Sequence, residues 1–570
     1  MRNLYRLLSF ALVPLGATIV SANPLPKRSN TTAPTATVKN GTYEGIHLPE
    51  YNQDLFLGIP FAIPPTGANG LRFKNPQSLN SSWTGVKKAT SYSASCIGYG
   101  SDDWPYWKLS EDCLYLNIVK PSNYSGEKLP VAFWIHGGGL YEGSGIDQRY
   151  NLSFIVENSV SIGKPIMAVS INYRLSSWGF LTSNEVVENG HSNMGFRDQR
   201  LALHWAQENI EAFGGDPSKV TIWGESAGGW SVGSHLVAYG GRDDGLFRAA
   251  IMESGNPICY RAFNNVSYYQ STYNNIVNQT GCGGSEDTLA CLQTISSTTL
   301  NDVLNTTDLT NFFQPIIDGD YIQKQTSIQL NEGDFVHVPI IDGANTDEGT
   351  AFGTTGIQNE TQFLAYLESD DNAVDHALPA SLATELSAAY PDNPCYGIPQ
   401  ELGCERETPA SYWGYMYKRV AAFAGDATMV GLRRFTCQIW AKNSVSAYCY
   451  RFYTIPYGLT KSIGSTHFQE VAFVFHNING VGYTTNPFTD MPQSYKDLSK
   501  LMSSSWVSFI HSLDPNSFTN SSSWPQYGTN PGTNIVWDAN ATGLAWTEPD
   551  TFREEGINLI NDNALAYFNR

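Results

Sequence analysis

The sequence predicts an α/β fold: a large, mostly parallel central sheet with helices on both faces. Two features carry this expectation. Short apolar runs, each ending in a Gly-, Asn- or Ser-rich turn, recur along the chain, as strands buried on both faces require. Between them lie segments with helical periodicity, and strands alternating with helices build a doubly wound sheet. In order, Leu129–Ile135 ends at His136-Gly137-Gly138-Gly139, and Pro165–Asn172 ends at Tyr173-Arg174. Val220–Trp223 ends at Gly224-Glu225-Ser226, and Ala249–Met252 ends at Glu253-Ser254-Gly255. Val338–Ile341 runs into Asp342-Gly343, and Tyr448–Tyr453 precedes a Gly/Pro loop. The helical patterns include 196–213 and 227–237. In such sheets chemistry collects at the carboxyl ends of the strands, which is where the motifs below fall.

At 570 residues the chain is long enough, on length alone, for two or more domains. Charged residues make up 15% and aromatics 13%, the composition of a folded protein rather than a disordered one. The net charge of −19 repels phosphate backbones, which excludes nucleic acid as a natural partner, and it disfavours anionic membranes.

The N-terminus reads as an address. Arg2 and Arg6 precede the apolar stretch Leu7–Val20, and Val20-Ser21-Ala22 is a small-residue cleavage motif, so residues 1–22 are expected to be a signal peptide. Pro14 and the short length argue against a membrane anchor. Residues 23–40, rich in Pro, Thr, Asn and Ser, are expected to be a mobile leader, with Lys27-Arg28 a candidate second processing site. Eleven Asn-x-Ser/Thr sequons fit a secreted, extracellular protein: Asn30, Asn40, Asn80, Asn123, Asn151, Asn265, Asn278, Asn305, Asn359, Asn520 and Asn540.

Nine cysteines agree with an oxidising compartment. Cys282 with Cys291 and Cys395 with Cys404 would close short loops, and Cys96 with Cys113 makes a third pair. Cys259, Cys437 and Cys449 cannot all pair with one another, so one free thiol is expected. No CxxC or His/Cys cluster has zinc spacing, and no metal or cofactor is expected.

Gly224-Glu225-Ser226-Ala227-Gly228 matches G-x-S-x-G between an apolar strand and a helical run. In that context it is a nucleophile elbow, a sharp turn that lifts the Ser226 hydroxyl out of the sheet. The three glycines after His136 suit a backbone that must approach a ligand closely, its amides aimed at an oxyanion together with that of Ala227. A phosphate loop is excluded: no Lys-Ser/Thr follows, and Glu142 stands where a dinucleotide fingerprint needs its last glycine. A serine nucleophile needs a base. Of ten histidines, His467 sits between a late strand and a helical start, with His476 its rival. The acid must lie between serine and histidine in the chain. Asp342, Asp347 and Glu348 all qualify, and spacing does not choose among them.

The residues now resemble a known family. Phe56-Leu57-Gly58-Ile59-Pro60-Phe61-Ala62, Pro64-Pro65 and Arg72-Phe73 are similar to the N-terminal signature of the type-B carboxylesterase/lipase family of the α/β-hydrolase fold, and Glu111-Asp112-Cys113-Leu114-Tyr115-Leu116-Asn117 to its second. Asn172-Tyr173-Arg174, Asp198-Gln199-Arg200 and Phe213-Gly214-Gly215-Asp216-Pro217 lead in order to the serine motif. The resemblance runs from about Phe56 to Tyr527, and the family includes cholinesterases and fungal lipases. It implies Ser226 as nucleophile, His467 as base, Glu348 as acid, and Gly138, Gly139 and Ala227 as oxyanion donors. It also implies the Cys96–Cys113 and Cys282–Cys291 disulfides, with Cys395–Cys404 less widespread. It implies one large domain, 41–570, in place of the two suggested by length, and a small-molecule ester as substrate.

In interfacial lipases of this family, the loop matching Cys96–Cys113 is long and acts as a lid. Here sixteen residues separate the cysteines, which implies an open pocket and soluble, short-to-medium acyl esters. Trp104 and Trp107 of this loop are candidate pocket walls. A lipase or sterol esterase acting on long acyl chains is the alternative within enzymes. A cholinesterase-like adhesion protein is the alternative outside them, although such relatives typically lack a triad member.

Overall fold

The computed structural model describes residues 33–100, 107–124, 126–519, 522–529 and 531–570. The signal peptide, Arg28, Trp104 and the sequons at Asn30 and Asn520 lie outside the described residues.

One eleven-stranded sheet runs through the molecule. Its strands are β1 (Ile46–Leu48), β2 (Gln53–Pro60), β3 (Tyr115–Pro121), β4 (Leu129–Ile135), β5 (Met167–Ile171), β6 (Gly215–Glu225), β7 (Ala249–Glu253), β8 (Ile340–Asn345), β9 (Ala447–Phe452), β10 (Thr533–Trp537) and β11 (Ala545–Pro549). Their order is β11-β10-β9-β8-β7-β6-β4-β5-β3-β2-β1. The six pairings from β5 to β10 are parallel. The β5–β3, β3–β2, β2–β1 and β10–β11 pairings are antiparallel. A small three-stranded sheet of Thr35–Val38, Gly41–Glu44 and Val86–Lys88 stands apart.

The six apolar runs are the six strands from β4 to β9, with shifted ends. Strand β8 continues four residues past Ile341, to Asn345. Alternation along β4 shows why both faces are covered. Val131, Phe133 and Ile135 belong to one hydrophobic core, and Ala132 and Trp134 to the other. The helices that flank the site are α1 (Leu152–Ser161), α2 (Met194–Asn209), α3 (Ala227–Gly241), α4 (Tyr417–Gly425), α5 (Gly431–Lys442) and α6 (Gln493–Ser512). Residues of α2, α3 and α5 join the first core, and those of α1 and α6 the second. The regular backbone of α3 breaks at Ala238, Tyr239 and Gly240, so its helical part is the predicted 227–237.

Four disulfides close loops: Cys96–Cys113, Cys282–Cys291, Cys395–Cys404 and Cys437–Cys449. The last pins α5 to β9, and Cys259 is left as a buried free thiol. Among the described residues no helix is long and apolar enough to cross a membrane, and no group of His, Cys, Asp and Glu could hold a metal ion.

Three of the sequon asparagines stand at helix starts. Asn265 Oδ1 accepts the Tyr268 amide at 3.1 Å, Asn359 Oδ1 that of Gln362 at 3.1 Å, and Asn151 Oδ1 that of Ser153 at 3.0 Å. Each thereby satisfies an amide that the helix leaves unpaired.

Candidate active site

The site forms at the carboxyl ends of β4, β6, β7 and β8. Strand β6 ends at Glu225, and α3 begins at Ala227. Ser226 alone makes the turn, at φ 57° and ψ −123°, a backbone state that L-residues rarely adopt. The glycines around it are demanded by crowding. A Cβ on Gly224 would stand 2.5 Å from Gly228 C and 2.7 Å from Ile135 O, and one on Gly228 would overlap Ile135 O. The turn is fixed by the Ser226 amide donating to Glu253 O at 2.8 Å and the Trp230 amide donating to Ser226 O at 2.9 Å.

Beside the serine runs the glycine loop. Gly138 and Gly139 have φ of +94° and +60°, accessible to glycine without strain. The loop starts from a fixed base: Tyr173 Oη donates to His136 O at 2.8 Å, and the His136 ring stacks on Tyr173 with centroids 4.4 Å apart. Burial lowers the His136 pKa to about 4, so the ring is neutral, and its Nδ1 lies 2.9 Å from Gly137 O. Ala227, the first residue of α3, is buried against the nucleophile turn.

The imidazole beside Ser226 arrives from far along the chain. His467 Nε2 lies 2.8 Å from Ser226 Oγ, and His467 Nδ1 lies 2.7 Å from Glu348 Oε2. Glu348 is fully buried; its other oxygen accepts the Asn345 amide at 2.8 Å and a short bond from the Ser254 hydroxyl. Burial opposes a charge on His467, but Glu348, by charge and hydrogen bond, and then Glu470 outweigh it and hold the imidazole above its ordinary value. Phe352 presents its ring to the imidazole, with centroids 4.8 Å apart.

The three candidate acids have separate surroundings. Asp342 lies inside β8, fully buried, and burial pushes its carboxyl well above the usual carboxylate range. Asp347 accepts the Ser465 amide at 2.8 Å and the Gln400 amide at 3.0 Å, so it fastens the loop that delivers His467. Only Glu348 meets the imidazole. His476 instead faces Ser499 Oγ at 3.0 Å, and burial lowers its pKa to about 4. Trp107 is half-buried, two residues before the short strand Leu109–Ser110.

Behind the imidazole lies a feature that the motifs did not announce. Glu225, Glu253 and Glu470 are buried with Glu348. Glu225 Oε1 stands 3.4 Å from His467 Nε2. Burial, then Glu470, Glu348 and Glu253, push Glu225 well above the usual carboxylate range, against Arg149. Burial and Glu348 push Glu470 up to about 7, although its Oε2 accepts from Asn345 Nδ2 at 2.5 Å. Glu253 Oε1 takes the indole N–H groups of Trp223 at 2.7 Å and Trp506 at 2.5 Å. The parts played by Ser254, Glu225, Glu253 and Glu470 were missed because nothing local marks them, and Asp347, a candidate acid by position, instead fastens the Ser465 loop; only the fold gathers these groups.

Comparison with known proteins agrees with this architecture. The model of the carboxylesterase family matches residues 32–550. "Secreted lipase 1" of Botryotinia fuckeliana is 33% identical, over 98% of this chain and all of that protein. "Lipase 2" of Diutina rugosa is 32% identical, with the same coverage of both chains. The crystal structure of Aspergillus niger EstA superimposes with a TM-score of 0.79 at 28% identity, covering 95% of this chain and all of that one. The chain therefore belongs to the carboxylesterase family and is a carboxylic ester hydrolase of the α/β-hydrolase fold.

Proposed function

We propose that the protein hydrolyses esters through an acyl-enzyme on Ser226, with His467 as base and Glu348 as its orienting partner. The observation that carries the reading is the unbroken line of hydrogen bonds from Ser226 Oγ through the imidazole to the Glu348 carboxylate. His467 takes the serine proton as Oγ attacks the ester carbonyl, then gives it to the leaving alcohol. Water, activated by the same nitrogen, attacks the acyl carbonyl; its proton returns through His467 to Oγ, and the acid departs. Gly138, Gly139 and Ala227 supply the amides that hold the oxyanion, each donor worth about 3 kcal/mol in the transition state. Glu348 fixes the tautomer and stabilises the imidazolium.

Residues 41–570 are taken as one catalytic domain, supported by a single sheet that reaches from Ile46 to Pro549. Secretion after loss of residues 1–22 is supported by the disulfides and by the relative named a secreted lipase. Soluble, short-to-medium acyl esters are favoured by the short Cys96–Cys113 loop, seventeen positions from cysteine to cysteine. Long-chain lipids are the second reading, favoured by the fungal relatives being named lipases.

Two measurements test these readings. Ser226→Ala and His467→Ala are each expected to abolish turnover of p-nitrophenyl acetate in a folded protein; full activity in either removes the assignment. Rates with tributyrin taken across its solubility limit are expected to rise smoothly, and a steep increase past saturation establishes the lipase reading instead.

A further inference from the structure

The loop carrying Gly138 and Gly139 is held from outside. Its own closure is slight: the amides of Tyr141 and Glu142 share Gly138 O, each at 3.0 Å. Its far side is tied elsewhere. Leu140 O accepts the Ser176 amide at 2.7 Å, and Tyr141 O accepts the Tyr99 amide at 2.6 Å. Tyr99 lies three residues beyond Cys96, in the stem of the disulfide-closed loop.

The contact between stem and glycine loop leaves no room for side chains. A Cβ on Gly98 would stand 2.9 Å from Tyr141 O and 3.3 Å from Glu142 Cα. One on Gly100 would overlap the Glu142 carboxylate. Across the loop, one on Gly138 would overlap Glu142 O and stand 2.9 Å from Glu142 Cγ. Glu142 is thus wedged between Gly100 of the stem and Gly138 of the donor loop. The stem is itself rigid. Tyr99 is buried, its hydroxyl accepts from Trp178 Nε1 at 2.8 Å, and it donates to Asn301 Oδ1 at 2.8 Å.

We propose that the stem Cys96–Gly100 is a strut that positions the oxyanion loop, with Tyr99 and Gly100 acting through Tyr141 O and Glu142 on the Gly138 and Gly139 amides. The inference rests on the reading of those amides as oxyanion donors. Donors act only within about 2.7–3.1 Å of the developing charge, so displacing the wedge by a few tenths of an ångström is enough to weaken them. The Cys96–Cys113 loop then bears on the reaction through its stem, because whatever shifts the stem shifts the donors.

The test is Gly100→Ala in the whole secreted protein. We expect kcat for p-nitrophenyl acetate to fall about ten- to a hundredfold, on the order of losing part of one donor, with KM changed less than twofold. Affinity for a trifluoromethyl ketone, which adds to Ser226 Oγ and places its oxyanion among the donors, should fall by the same factor as kcat/KM. The acid limb of the pH profile should stay in place, since the imidazole is untouched. In a Glu142→Gly background Gly100→Ala should cost much less, because the carboxylate and the Cβ that would stand 2.8 Å from the new methyl are both gone. Tyr99→Phe, which keeps the amide but loses both hydroxyl bonds, should show a weaker loss of the same pattern, and it carries the test if Gly100→Ala does not fold. Unchanged kcat and analogue affinity, or a loss confined to KM or accompanied by a moved acid limb, overturns the strut. Persistent activity in Ser226→Ala would instead overturn the site assignment on which it rests.

Discussion

The two halves of the candidate site are built differently. The half around Ser226 is a property of backbone. Ser226 sits in a strained turn between β6 and α3, and glycines at 224 and 228 are there because carbonyls of β4 and α3 leave no space. The half around His467 and Glu348 is a property of side chains brought together from the segments after β8 and β7 and the loop before Val471; Glu348 accepts from Asn345 and Ser254, and Asp347 accepts from the Ser465 amide. A backbone-built half should fail through folding, and a side-chain-built half through chemistry and pH, with the fold intact.

The largest effect is expected on the chemical side. Glu348→Gln keeps an acceptor for Asn345 and Ser254 but can leave the imidazole in the wrong tautomer, and kcat should fall by about 10⁴ with the melting temperature nearly unchanged. A matching collapse of the fold would show that the two halves are not separable. Next comes the backbone side. Gly228→Ala, forced against Ile135 O, should destabilise the protein by about 1–3 kcal/mol, read as a lower denaturant midpoint, with activity lost in the folded fraction as the elbow shifts.

Smaller effects sharpen the electrostatics. Because Glu348 and Glu470 hold His467 above its ordinary value of 6.5, kcat/KM should rise as pH increases through a point above 6.5. Glu470→Gln should move that limb to lower pH by a fraction of a unit; a limb that stays put would remove Glu470 from the base's surroundings. The same substitution should change stability in a pH-dependent way. A carboxyl that titrates near 4.5 unfolded and about 7 folded favours the native state below pH 4.5, and that advantage is lost as pH rises to 7. Glu470→Gln should therefore match the wild type at pH 4 and exceed it by roughly 1–3 kcal/mol at pH 8, as chemical denaturation at the two pH values would report.

The same division explains what could be read from the chain beforehand. Strands β4 to β9 were legible because burial on both faces leaves continuous apolar runs. Three of the antiparallel members were not: no residue of β1 or β11 is buried, and β2 interrupts its buried positions with Asp54, Leu55 and Gly58. The elbow and glycine loop were legible because their chemistry is local. Spacing left the candidate acid open, since Asp342, Asp347 and Glu348 differ only in where β8 stops and which way each carboxyl then faces, and it was the family resemblance that pointed to Glu348. The position of His467 favoured it over His476, but its bond to Ser226 depends on the Asp347–Ser465 fastening 118 residues apart in sequence. The Cys437–Cys449 bond likewise waited on the docking of α5 against β9.

The helix-starting asparagines carry a consequence for how the protein can be decorated. A sugar joined at Asn265 or Asn359 would occupy Nδ2 and leave Oδ1 to receive its amide, so the glycan and the helix draw on opposite ends of one carboxamide. Enzymatic stripping would convert the residue to aspartate, which starts a helix at least as well and adds a favourable charge at its positive end. These two helices can therefore form alike in bare, decorated and trimmed molecules, which makes an unglycosylated host a reasonable source of folded protein.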